Sequence, residues 1–551
     1  MLILDKKLIQ TSKKMSIKPI ERLGIMLDRS LSLISVLYDC FVNGITYIPI
    51  DVNWPVERIQ SIITNEQIER VITNINYSSK INNTEITIIN DDSGLIFENY
   101  NFNNEIAYIL HTSGSSGVPK GVSITRESLL NFIDGISEKI DFSPQKRIAC
   151  LTTFSFDIFF LESIMALYKD LTVIFGNEDE QRNPELMAKL IQDNDVDMIQ
   201  MTPSRMQLMI NHDKELTCLK KVKEIMIGGE PFPLSLLRTL QEKTSAKIYN
   251  MYGPTEATIW STISDLTNKN RIDIGHPIKN TEIYIVNENL HILTEGKTGE
   301  ICIAGKGLAK GYVGKEDLTA EKFIYLPQKP DTRVYRTGDL GKYLPDGDLE
   351  YLGRIDNQVK IRGHRIELEE IESYINQFNG IKQSVVIVME TSETDKILEA
   401  FYTSEINIDK KNIINFLSLK LPPYMIPAIF KRVDNFIQTS NGKIDRNRIL
   451  ECIEIKSDHA VYQEVSYDEM PEIQKKALEV IASNLNSKYL DDISLDSDFA
   501  NIGIDSITFI KIVVALESEF DFEFDDEMLL ITAFPTVKSI IQYVESKVGA
   551  D

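Results

Sequence analysis

The chain has 551 residues, too many for one hydrophobic core, so about two to four domains are expected. Hydrophobic residues make up 43% and charged residues 26%, as in globular proteins, and no run of about 18 apolar residues predicts a membrane span. A net charge of −23 argues against nucleic acid as the main partner, because phosphate backbones are bound by clusters of Lys and Arg. Five scattered cysteines without a CxxC pair, and a start that lacks a secretory signal, favour a cytoplasmic location with no membrane partner.

Up to about residue 330, apolar strand-like runs alternate with amphipathic helical stretches. Several of the runs end in Gly, Ser, Thr or Pro before a helical pattern begins. This order predicts α/β domains with mostly parallel sheets and a ligand site at the carboxyl ends of the strands. The predicted strands lie at 69–75, 105–114, 171–177, 197–204, 224–230 and 247–256.

Beyond residue 330 the pattern changes to short strands separated by turns, and then to an acidic stretch of helical periodicity. The sequence 453–469 is polar and without periodicity, which indicates a linker. Helices are predicted at 471–486, 506–519 and 536–547. The predicted domains are a core of 1–355, a small α+β subdomain of 356–452, the linker, and an all-α four-helix domain of 470–551.

The sharpest local motif is TSGSSGVPKG, residues 112–121, directly after the predicted strand AYILH. Glycine permits tight turns, and small hydroxyl residues expose donors that can surround a polyphosphate. Lys120 adds a positive charge, but Gly121 follows it, so the spacing is not that of a Walker A loop. Taken alone, the motif is equally compatible with a plain turn.

Four further motifs follow in order: NMYGPTE at 250–256, YRTGD at 335–339, GRID at 353–356 with KIRGHRIELEEIE, and NGK at 441–443. Together with the loop, this ordered set resembles the amino-acid adenylation domains of nonribosomal peptide synthetases, within the wider family of acyl-CoA synthetases and luciferases. The resemblance runs from about Lys18 to Leu450. It implies a large adenylate-forming α/β domain, a small α+β subdomain, and the use of ATP with Mg²⁺.

The resemblance also implies roles for single residues. Tyr252 stacks on adenine with Asn250 near the base edge, and Asp339 holds the ribose hydroxyls. Thr255 and Glu256 supply the hard oxygens that Mg²⁺ prefers. The alternatives are a core aromatic for Tyr252 and a helix cap for the Thr-Glu pair. The full expected ATP site is Thr112, Ser113, Gly114, Ser115, Ser116, Gly117, Asn250, Tyr252, Gly253, Thr255, Asp339 and Arg354.

Three residues are expected to be catalytic: Lys120, Glu256 and Lys443. Lys443 lies in a tight NGK turn, and the resemblance implies that it approaches the substrate carboxylate and the α-phosphate, where it stabilises developing charge. Asp356 corresponds to the family's hinge, about which the small subdomain rotates between two half-reactions.

Asp157 in FSFDIFF lies amid apolar residues, where an unpaired carboxylate is costly. A substrate ammonium would neutralise it, and the family binds the α-amino group there. The resemblance implies the other pocket positions, several of which carry bulky side chains that fill the space of a substrate side chain, and their combination is similar to the family's pattern for glycine, with alanine as the alternative. These positions are Ile158, Leu161, Gln200, Met226, Gly228, Met251, Ile259 and Trp260.

The sequence FANIGIDSI, residues 499–507, precedes an amphipathic helical pattern and resembles acyl and peptidyl carrier domains. Ser506 is then the attachment site of 4′-phosphopantetheine, delivered by a phosphopantetheinyl transferase; its alternative role is a helix N-cap. Asp505 stands where peptidyl carriers often have His, which is closer to the acyl-carrier form.

The predicted function is an amino acid–carrier protein ligase of nonribosomal peptide or antibiotic biosynthesis. It forms an aminoacyl adenylate and loads its own carrier domain, which passes the product in trans to downstream synthetase or tailoring enzymes. The segment before ERLGIMLDRS is expected to be shorter than in other adenylation domains. Two alternatives remain open: an acyl-CoA ligase, and a degenerate adenylation region that serves as a docking platform for the carrier.

Overall fold

The computed structural model describes residues 1–15, 22–89, 95–97, 104–114, 119–390, 396–437, 444, 446, 448–449, 471–483, 506–520, 522, 524, 534 and 536–548. The strands, in chain order, are β1 Leu2–Leu4, β2 Lys13–Met15, β3 Arg22–Met26, β4 Thr46–Pro49, β5 Arg70–Thr73, β6 Glu85–Ile88, β7 Leu95–Phe97, β8 Ile106–Thr112, β9 Lys120–Thr125, β10 Arg147–Cys150, β11 Thr172–Phe175, β12 Met198–Met201, β13 Glu224–Gly228, β14 Lys247–Tyr252, β15 Thr262–Asp265, β16 His276–Pro277, β17 Thr281–Val286, β18 Gly299–Gly305, β19 Gly311–Tyr312, β20 Phe323–Leu326, β21 Lys329–Tyr343, β22 Leu349–Arg354, β23 Val359–Ile361, β24 His364–Ile366, β25 Ile381–Glu390, β26 Lys396–Ser404 and β27 Ile429–Arg432. The helices are α1 Lys6–Gln10, α2 Leu31–Asn43, α3 Val56–Asn65, α4 Arg126–Ser137, α5 Ile158–Phe160, α6 Ala166–Tyr168, α7 Glu178–Arg182, α8 Pro184–Asp193, α9 Pro203–His212, α10 Leu234–Lys243, α11 Glu316–Lys322, α12 Leu368–Ile375, α13 Lys410–Ser418, α14 Glu472–Ser483, α15 Ser506–Phe520 and α16 Val537–Val548.

Contacts between the residues that the structure describes divide the chain into two compact units. The first comprises 1–373 with 416–424, and the second comprises 374–392, 396–415 and 425–551. These units do not follow the predicted domain limits, which stay a prediction. In the described part of the chain, no helix is long and apolar enough to cross a membrane.

An eight-stranded sheet in the first unit has the order β1-β11-β10-β12-β13-β14-β15-β16, and its five central strands are parallel. Strands such as MIQM and EIMIG are buried along their whole length, which explains why they are continuous apolar runs rather than alternating ones. The predicted α/β architecture with parallel sheets is therefore confirmed.

A seven-stranded sheet has the order β19-β9-β8-β4-β3-β5-β6, and the described residues of the Ser/Gly-rich motif lie at the end of β8 and the start of β9. The helix that follows, α4, begins where the Thr125 hydroxyl accepts a hydrogen bond from Ser128 N, a typical N-cap. Side chains from both large sheets share one core, including Ile25 of β3 and Val173 of β11. An antiparallel sheet, β17-β18-β21-β20 with β22 on β21, completes the sheets that carry predicted site residues.

Residues 359–366 form the short antiparallel hairpin β23–β24, in which Lys360 pairs with Arg365. The helix α12 follows it directly.

The second unit contains the sheet β25-β26-β27 and the helices α14, α15 and α16. The three helices share a core that includes Ile481, Phe509, Leu516 and Ile540. Their bounds agree with the predicted helices within about three residues, the usual error of sequence-based boundaries. The predicted linker, 453–469, lies outside the described residues.

Candidate active site

The carboxyl ends of β14 and β22, together with β21, bring together three residues of the expected nucleotide site. The Tyr252 hydroxyl donates to Asp339 Oδ2 at 2.7 Å, and Arg354 Nη1 donates to Asp339 Oδ1 at 2.7 Å. Asp339 and Arg354 face each other because they are register partners in β21 and β22. Burial and the neighbouring carboxylate raise the pKa of Tyr252, so its hydroxyl keeps its proton.

The Arg354 guanidinium also makes a two-pronged contact with Asp356, the predicted hinge. Its Nε and Nη2 donate to the two carboxylate oxygens at 2.6 and 2.7 Å. Burial raises the pKa of Asp356, but the hydrogen bonds from Arg354 outweigh it, so the pKa is lowered overall. The end of β22 is thereby joined to both the expected ribose ligand and the expected hinge.

Asn250 is oriented by a backbone carbonyl rather than by solvent. Its Nδ2 donates to Asp273 O at 2.8 Å. The Asp273 carboxylate in turn accepts from Ser264 Oγ, Gly275 N and Lys269 Nζ at 2.5, 3.0 and 2.9 Å. The donor end of the Asn250 amide is therefore used within the protein, which leaves its carbonyl as the acceptor.

Asp157 lies just before α5 with a partly buried side chain. It accepts hydrogen bonds from the Thr255 hydroxyl at 2.7 Å and from Ile158 N at 2.8 Å. Burial raises its pKa, and the hydrogen bond from Thr255 only partly opposes this. The carboxylate thus sits where a cation would stabilise its charged form.

The remaining residues of the expected amino-acid pocket are almost all buried. Trp260 Nε1 donates to Gln200 Oε1 at 3.2 Å, which fixes the indole across the pocket. A methyl group added at Gly228 would lie 2.7 Å from the Trp260 ring and 2.6 Å from Met251 O, so only glycine fits there. Leu161, Met226, Met251 and Ile259 are each no more than 2% exposed.

The turn before Trp260 is strained. Thr258 and Ile259 have φ angles of 61° and 68°, a left-handed region that β-branched residues rarely adopt. The Thr258 hydroxyl donates to Gly307 O at 2.6 Å and helps to hold this turn. Such strain costs on the order of 1–3 kcal/mol per residue and is concentrated at functional sites.

Ser113, Gly114, Lys120 and Glu256 form what we name the phosphate-side cluster. All four are buried. Burial and the nearby Arg365 lower the pKa of Lys120, although the carboxylates of Glu256 and Glu367 oppose this shift. Lys120 Nζ lies 3.3 Å from Glu367 Oε1.

Glu256 is fully buried in the 3₁₀ turn Thr255–Ala257. Its carboxylate accepts from Arg365 Nη1 at 2.7 Å and from the Tyr312 hydroxyl at 2.8 Å. Burial alone would raise its pKa, but the charges of Arg365 and Lys120 outweigh burial and lower the pKa to about 2. An ionised carboxylate beside the Thr255 hydroxyl has the hard oxygens that Mg²⁺ prefers, so these two residues fit the ion.

Sequence reasoning missed the residues that the hairpin β23–β24 and α12 bring to this cluster. Arg365 and Glu367 contact it directly, and Lys360 is partly buried at a position from which its charge acts on Asp339 and Asp157. The motif KIRGHRIELEEIE contains all three residues, but its local pattern does not predict which residues their charges contact. The hairpin also contacts Glu230, whose Oε1 accepts a hydrogen bond from Gly363 N at 2.6 Å.

Several predicted residues lie outside what the structure describes. These are Ser115, Ser116, Gly117 and Lys443, together with the side chain of Ser506. The helix α15 begins at Ser506, as predicted. The free N–H groups of a helix N-terminus favour a phosphate, so this position fits the phosphodiester of 4′-phosphopantetheine.

Residues 13–313 match the family described as AMP-binding enzyme, and residues 476–544 match the one described as Phosphopantetheine attachment site. Gramicidin S synthase 2 of Brevibacillus brevis is 34% identical over 455 residues, which cover 81% of this chain and 10% of that protein. The chain therefore spans about a tenth of the length of that curated relative.

Two solved nonribosomal peptide synthetases are similar over 96% of the chain. Holo-AB3403, a four-domain synthetase bound to AMP and glycine, has 29% identity and a TM-score of 0.57, with 39% of it covered. Holo-PA1221, which contains adenylation and PCP domains, has 22% identity and a TM-score of 0.75, with 88% of it covered.

The matched residues, more than half of the chain, define an enzyme of the adenylate-forming class with a carrier region. This chain belongs to the AMP-binding enzyme family and carries a phosphopantetheine attachment site. The cofactors of these two regions are Mg²⁺ with ATP and 4′-phosphopantetheine, as the resemblance implied.

Proposed function

We propose that this chain activates an amino acid, with glycine as the best-supported substrate, and loads it onto its own carrier region. In the first half-reaction, the amino-acid carboxylate attacks the α-phosphate of ATP, forming aminoacyl-AMP and releasing pyrophosphate. In the second, the aminoacyl group is transferred from AMP to the carrier. The observation that carries the proposal is Asp157, a carboxylate of raised pKa that accepts hydrogen bonds from Thr255 and Ile158 and whose charge a substrate ammonium would compensate.

The amino-acid pocket supports a small α-amino acid. Asp157 would bind the ammonium group, because its raised pKa shows that burial outweighs the stabilisation its charged form receives. Trp260, held by Gln200, fills the space that a longer side chain would take. The similar synthetase AB3403, which was solved with AMP and glycine, supports the same choice.

The nucleotide would lie across β14, β21 and β22. Tyr252 would stack on adenine, and the free carbonyl of Asn250 would accept from the exocyclic amino group, since its Nδ2 is used by Asp273 O. Asp339 would hold the ribose hydroxyls in place of its present donors, Tyr252 and Arg354. Thr255 and Glu256 would hold Mg²⁺, which would supply charge stabilisation to the phosphates.

The position of the hairpin supports a second arrangement of the site. The positive charge of its Lys360 acts on both Asp157 and Asp339, which would hold the amino acid and the ribose, and it would stabilise the AMP that leaves during transfer. Lys443 would serve the first half-reaction, and Asp356 would be the point of rotation between the two arrangements. The 4′-phosphopantetheine on Ser506 supplies the thiol that accepts the aminoacyl group.

The proposed partners follow from this chemistry. A phosphopantetheinyl transferase would modify Ser506, and downstream synthetase or tailoring enzymes would take the aminoacyl group from the carrier. The conversion of the carrier serine to its modified form can be followed by mass spectrometry.

The decisive experiment is amino-acid-dependent exchange of labelled pyrophosphate into ATP, across the twenty amino acids. Glycine is expected to give the strongest signal, with Lys443→Ala reducing it by roughly 10²-fold or more, the effect of removing one electrostatic stabiliser. Covalent labelling by glycine should require Ser506. Full exchange by Lys443→Ala, or release of a free acyl-CoA with no label on the chain, contradicts the proposal.

A further inference from the structure

Asp273, in the loop 266–275 between β15 and β16, contacts both members of a cross-strand pair at the expected base site. Asn250 of β14 and Ser264 of β15 are register partners in these antiparallel strands. The backbone carbonyl of Asp273 accepts from Asn250 Nδ2 at 2.8 Å, and its carboxylate accepts from Ser264 Oγ at 2.5 Å. Asp273 thus anchors the Asn250 amide through a main-chain atom and binds the neighbouring strand through its side chain.

The Asp273 carboxylate is held by several donors away from water. The residue is only 1% exposed. Lys269 Nζ lies 2.9 Å from its Oδ2, and Arg271 Nε lies 3.4 Å from the same oxygen. Gly275 N donates to Oδ1 at 3.0 Å. Because a buried charge is costly when its partners are lost, these contacts keep the carboxylate, and with it the Asp273 main chain, in place.

The main chain after Asp273 also packs closely against β15. Gly275 has a φ angle of 65°, and a methyl group added there would lie 2.1 Å from Ile263 O. Only a residue without a side chain lets the loop approach the strand this closely. The carbonyl of Asp273 is therefore fixed from the side of the backbone as well as from the side of the carboxylate.

The loop 266–275 is tied in turn to the strands that carry the expected ribose ligand. Lys269 Nζ donates to Asp348 Oδ2 at 2.5 Å, in the turn between β21 and β22. Ile274 N donates to Leu349 O, at the start of β22, at 2.8 Å. Because β21 also carries Asp339, the anchor of the Asn250 amide and the expected ribose ligand belong to one connected network.

The anchored amide presents a single kind of hydrogen-bonding atom to a base. A backbone carbonyl has no proton to donate, so the atom that faces Asp273 O is Nδ2, and Oδ1 of Asn250 is the atom left for a ligand. This oxygen can accept from the 6-amino group of adenine. The 6-oxo group of hypoxanthine or guanine would instead place two acceptors against each other.

We propose that Asp273 is a positioning residue that determines base selectivity, by holding the Asn250 amide in the orientation that accepts a 6-aminopurine and rejects a 6-oxopurine. The inference rests on the proposed function, which places the base against Asn250. Its consequence is that selectivity depends on a residue that does not touch the nucleotide. When the contacts of the Asp273 carboxylate are broken, its carbonyl moves, the amide of Asn250 can turn over, and Nδ2 can donate to a 6-oxo group.

The test is a pair of calorimetric titrations of the full chain, one with MgATP and one with MgITP, without amino acid. The unmodified chain is expected to bind MgATP about 10- to 100-fold more tightly, the effect of leaving one buried acceptor unpaired. Asp273→Asn keeps the backbone carbonyl and the size of the side chain but removes its charge, and it should lower this ratio at least about fivefold. Asp195→Asn is the matched control, because Asp195 is an exposed aspartate that pairs with Lys221; its ratio should equal that of the unmodified chain.

The ratio separates positioning from a merely structural role, which would weaken both nucleotides equally. A folded Asp273→Asn variant with an unchanged ratio overturns the proposal, as does an unmodified chain that shows no preference for MgATP or binds neither nucleotide. A thermal melt accompanies each titration. If Asp273→Asn does not fold, Ser264→Ala, which removes one donor from the carboxylate, decides the outcome by the same ratio.

The proposed function is tested separately by the exchange assay. A chain that shows no amino-acid-dependent exchange but gives the expected titrations refutes amino-acid activation and keeps the base selectivity. A chain that exchanges with glycine but keeps its ratio in the Asp273→Asn variant refutes the role of Asp273 alone.

Discussion

Two carboxylates of the first unit, Asp157 and Glu256, differ in the partners that the fold gives them. Asp157 receives hydrogen bonds from Thr255 and Ile158, and burial raises its pKa. Glu256 is buried more deeply, yet Arg365 and Lys120 lower its pKa to about 2. The amino-acid side of the site is therefore poorly compensated in charge, whereas the phosphate side carries its own cations.

This difference predicts that a ligand can add a positive charge at Asp157, whereas at Glu256 it must replace a positive charge of the protein. At Asp157 the hydrogen bond from Thr255 and the charge of Lys360 offset burial only in part, so a substrate ammonium there adds to the compensation. At Glu256 the Arg365 guanidinium holds one carboxylate oxygen, so a metal ion there has to displace it. Removing the Glu256 carboxylate should therefore lower the free energy of unfolding, whereas removing the Asp157 carboxylate should leave it unchanged or raise it.

The largest expected effect is on the stability of a Glu256→Gln variant. It leaves Arg365 buried without its charged partner, a loss of about 3–5 kcal/mol in the free energy of unfolding. The folded-state pKa of about 2 lies below the ordinary value of 4.5, so this stabilisation is present above pH 4.5 and is lost as the pH falls towards 2. Urea denaturation between pH 7 and pH 3 measures both.

A double-mutant cycle with Arg365→Gln is the control for this pair. The loss in the free energy of unfolding of the double variant should be smaller than the sum of the losses of the two single variants, because the second change removes the unpaired charge. A strictly additive cycle contradicts the pairing, as does a single variant that loses under about 1 kcal/mol.

Asp157→Asn should affect activity and spare the fold. The variant loses a charge interaction with the substrate ammonium, worth about 2–5 kcal/mol, or roughly 30- to 5,000-fold in kcat/KM for pyrophosphate exchange. Its melting temperature should stay the same or rise. The raised pKa of Asp157 means that folding disfavours the ionised carboxylate, so removing that charge costs the folded chain nothing.

The matched control is Asp134→Asn, which changes an exposed aspartate of α4. It should leave both exchange and melting temperature unchanged. If Asp157→Asn lowers stability and activity together, its carboxylate is structural and the contrast with Glu256 disappears.

A Trp260→Leu variant tests whether the size of the amino-acid pocket determines the preference for glycine. The shorter residue opens space beside Gly228, so the preference for glycine over alanine in kcat/KM should fall by about 10–100-fold, the usual effect of one methyl group in a pocket. Exchange assays with the two amino acids measure the ratio. Trp54→Leu is the natural control, because Trp54 is also buried but packs against Arg58; it should leave the ratio unchanged.

Much of the fold was predictable because its signals are local. The buried strand EIMIG and the helix that begins at Ser506 both follow from apolar patterns within about ten residues. The family resemblance implied that Tyr252 and Asp339 both belong to the nucleotide site, but the hydrogen bond between them, across 87 positions of the chain, was not predicted.

The charge pairs of the phosphate side were not predictable. Arg365 and Glu256 are separated by 109 residues, and Glu370 and Gly114 by 256. A charged residue in a helical motif is compatible with a solvent-exposed face, and only the tertiary fold shows that these side chains are buried. The roles of Lys443 and Ser506 stay predictions, because the structure does not describe their side chains.

The smallest effect concerns His364 of the hairpin. Its ring stacks on Tyr424 at 3.6 Å and meets the edge of Phe156 at 4.7 Å. Burial, together with the charges of Arg205 and Arg362, lowers its pKa to about 3 from an ordinary 6.5. The folded chain therefore loses stability as the pH falls below 6.5, by about 1.4 kcal/mol per pH unit.

A His364→Phe variant keeps the aromatic packing and cannot be protonated, so this part of the pH dependence should vanish. The measurement is the free energy of unfolding at pH 7.5 and 5.5 for the unmodified chain, this variant and His291→Gln, which removes an exposed histidine. Between pH 7.5 and pH 5.5, the free energy of unfolding of the unmodified chain and of the His291 variant should fall by about 1.4 kcal/mol more than that of His364→Phe. Parallel losses in all three mean that His364 binds protons equally in the folded and unfolded chain, and that the hairpin contributes no acid sensitivity to the phosphate side.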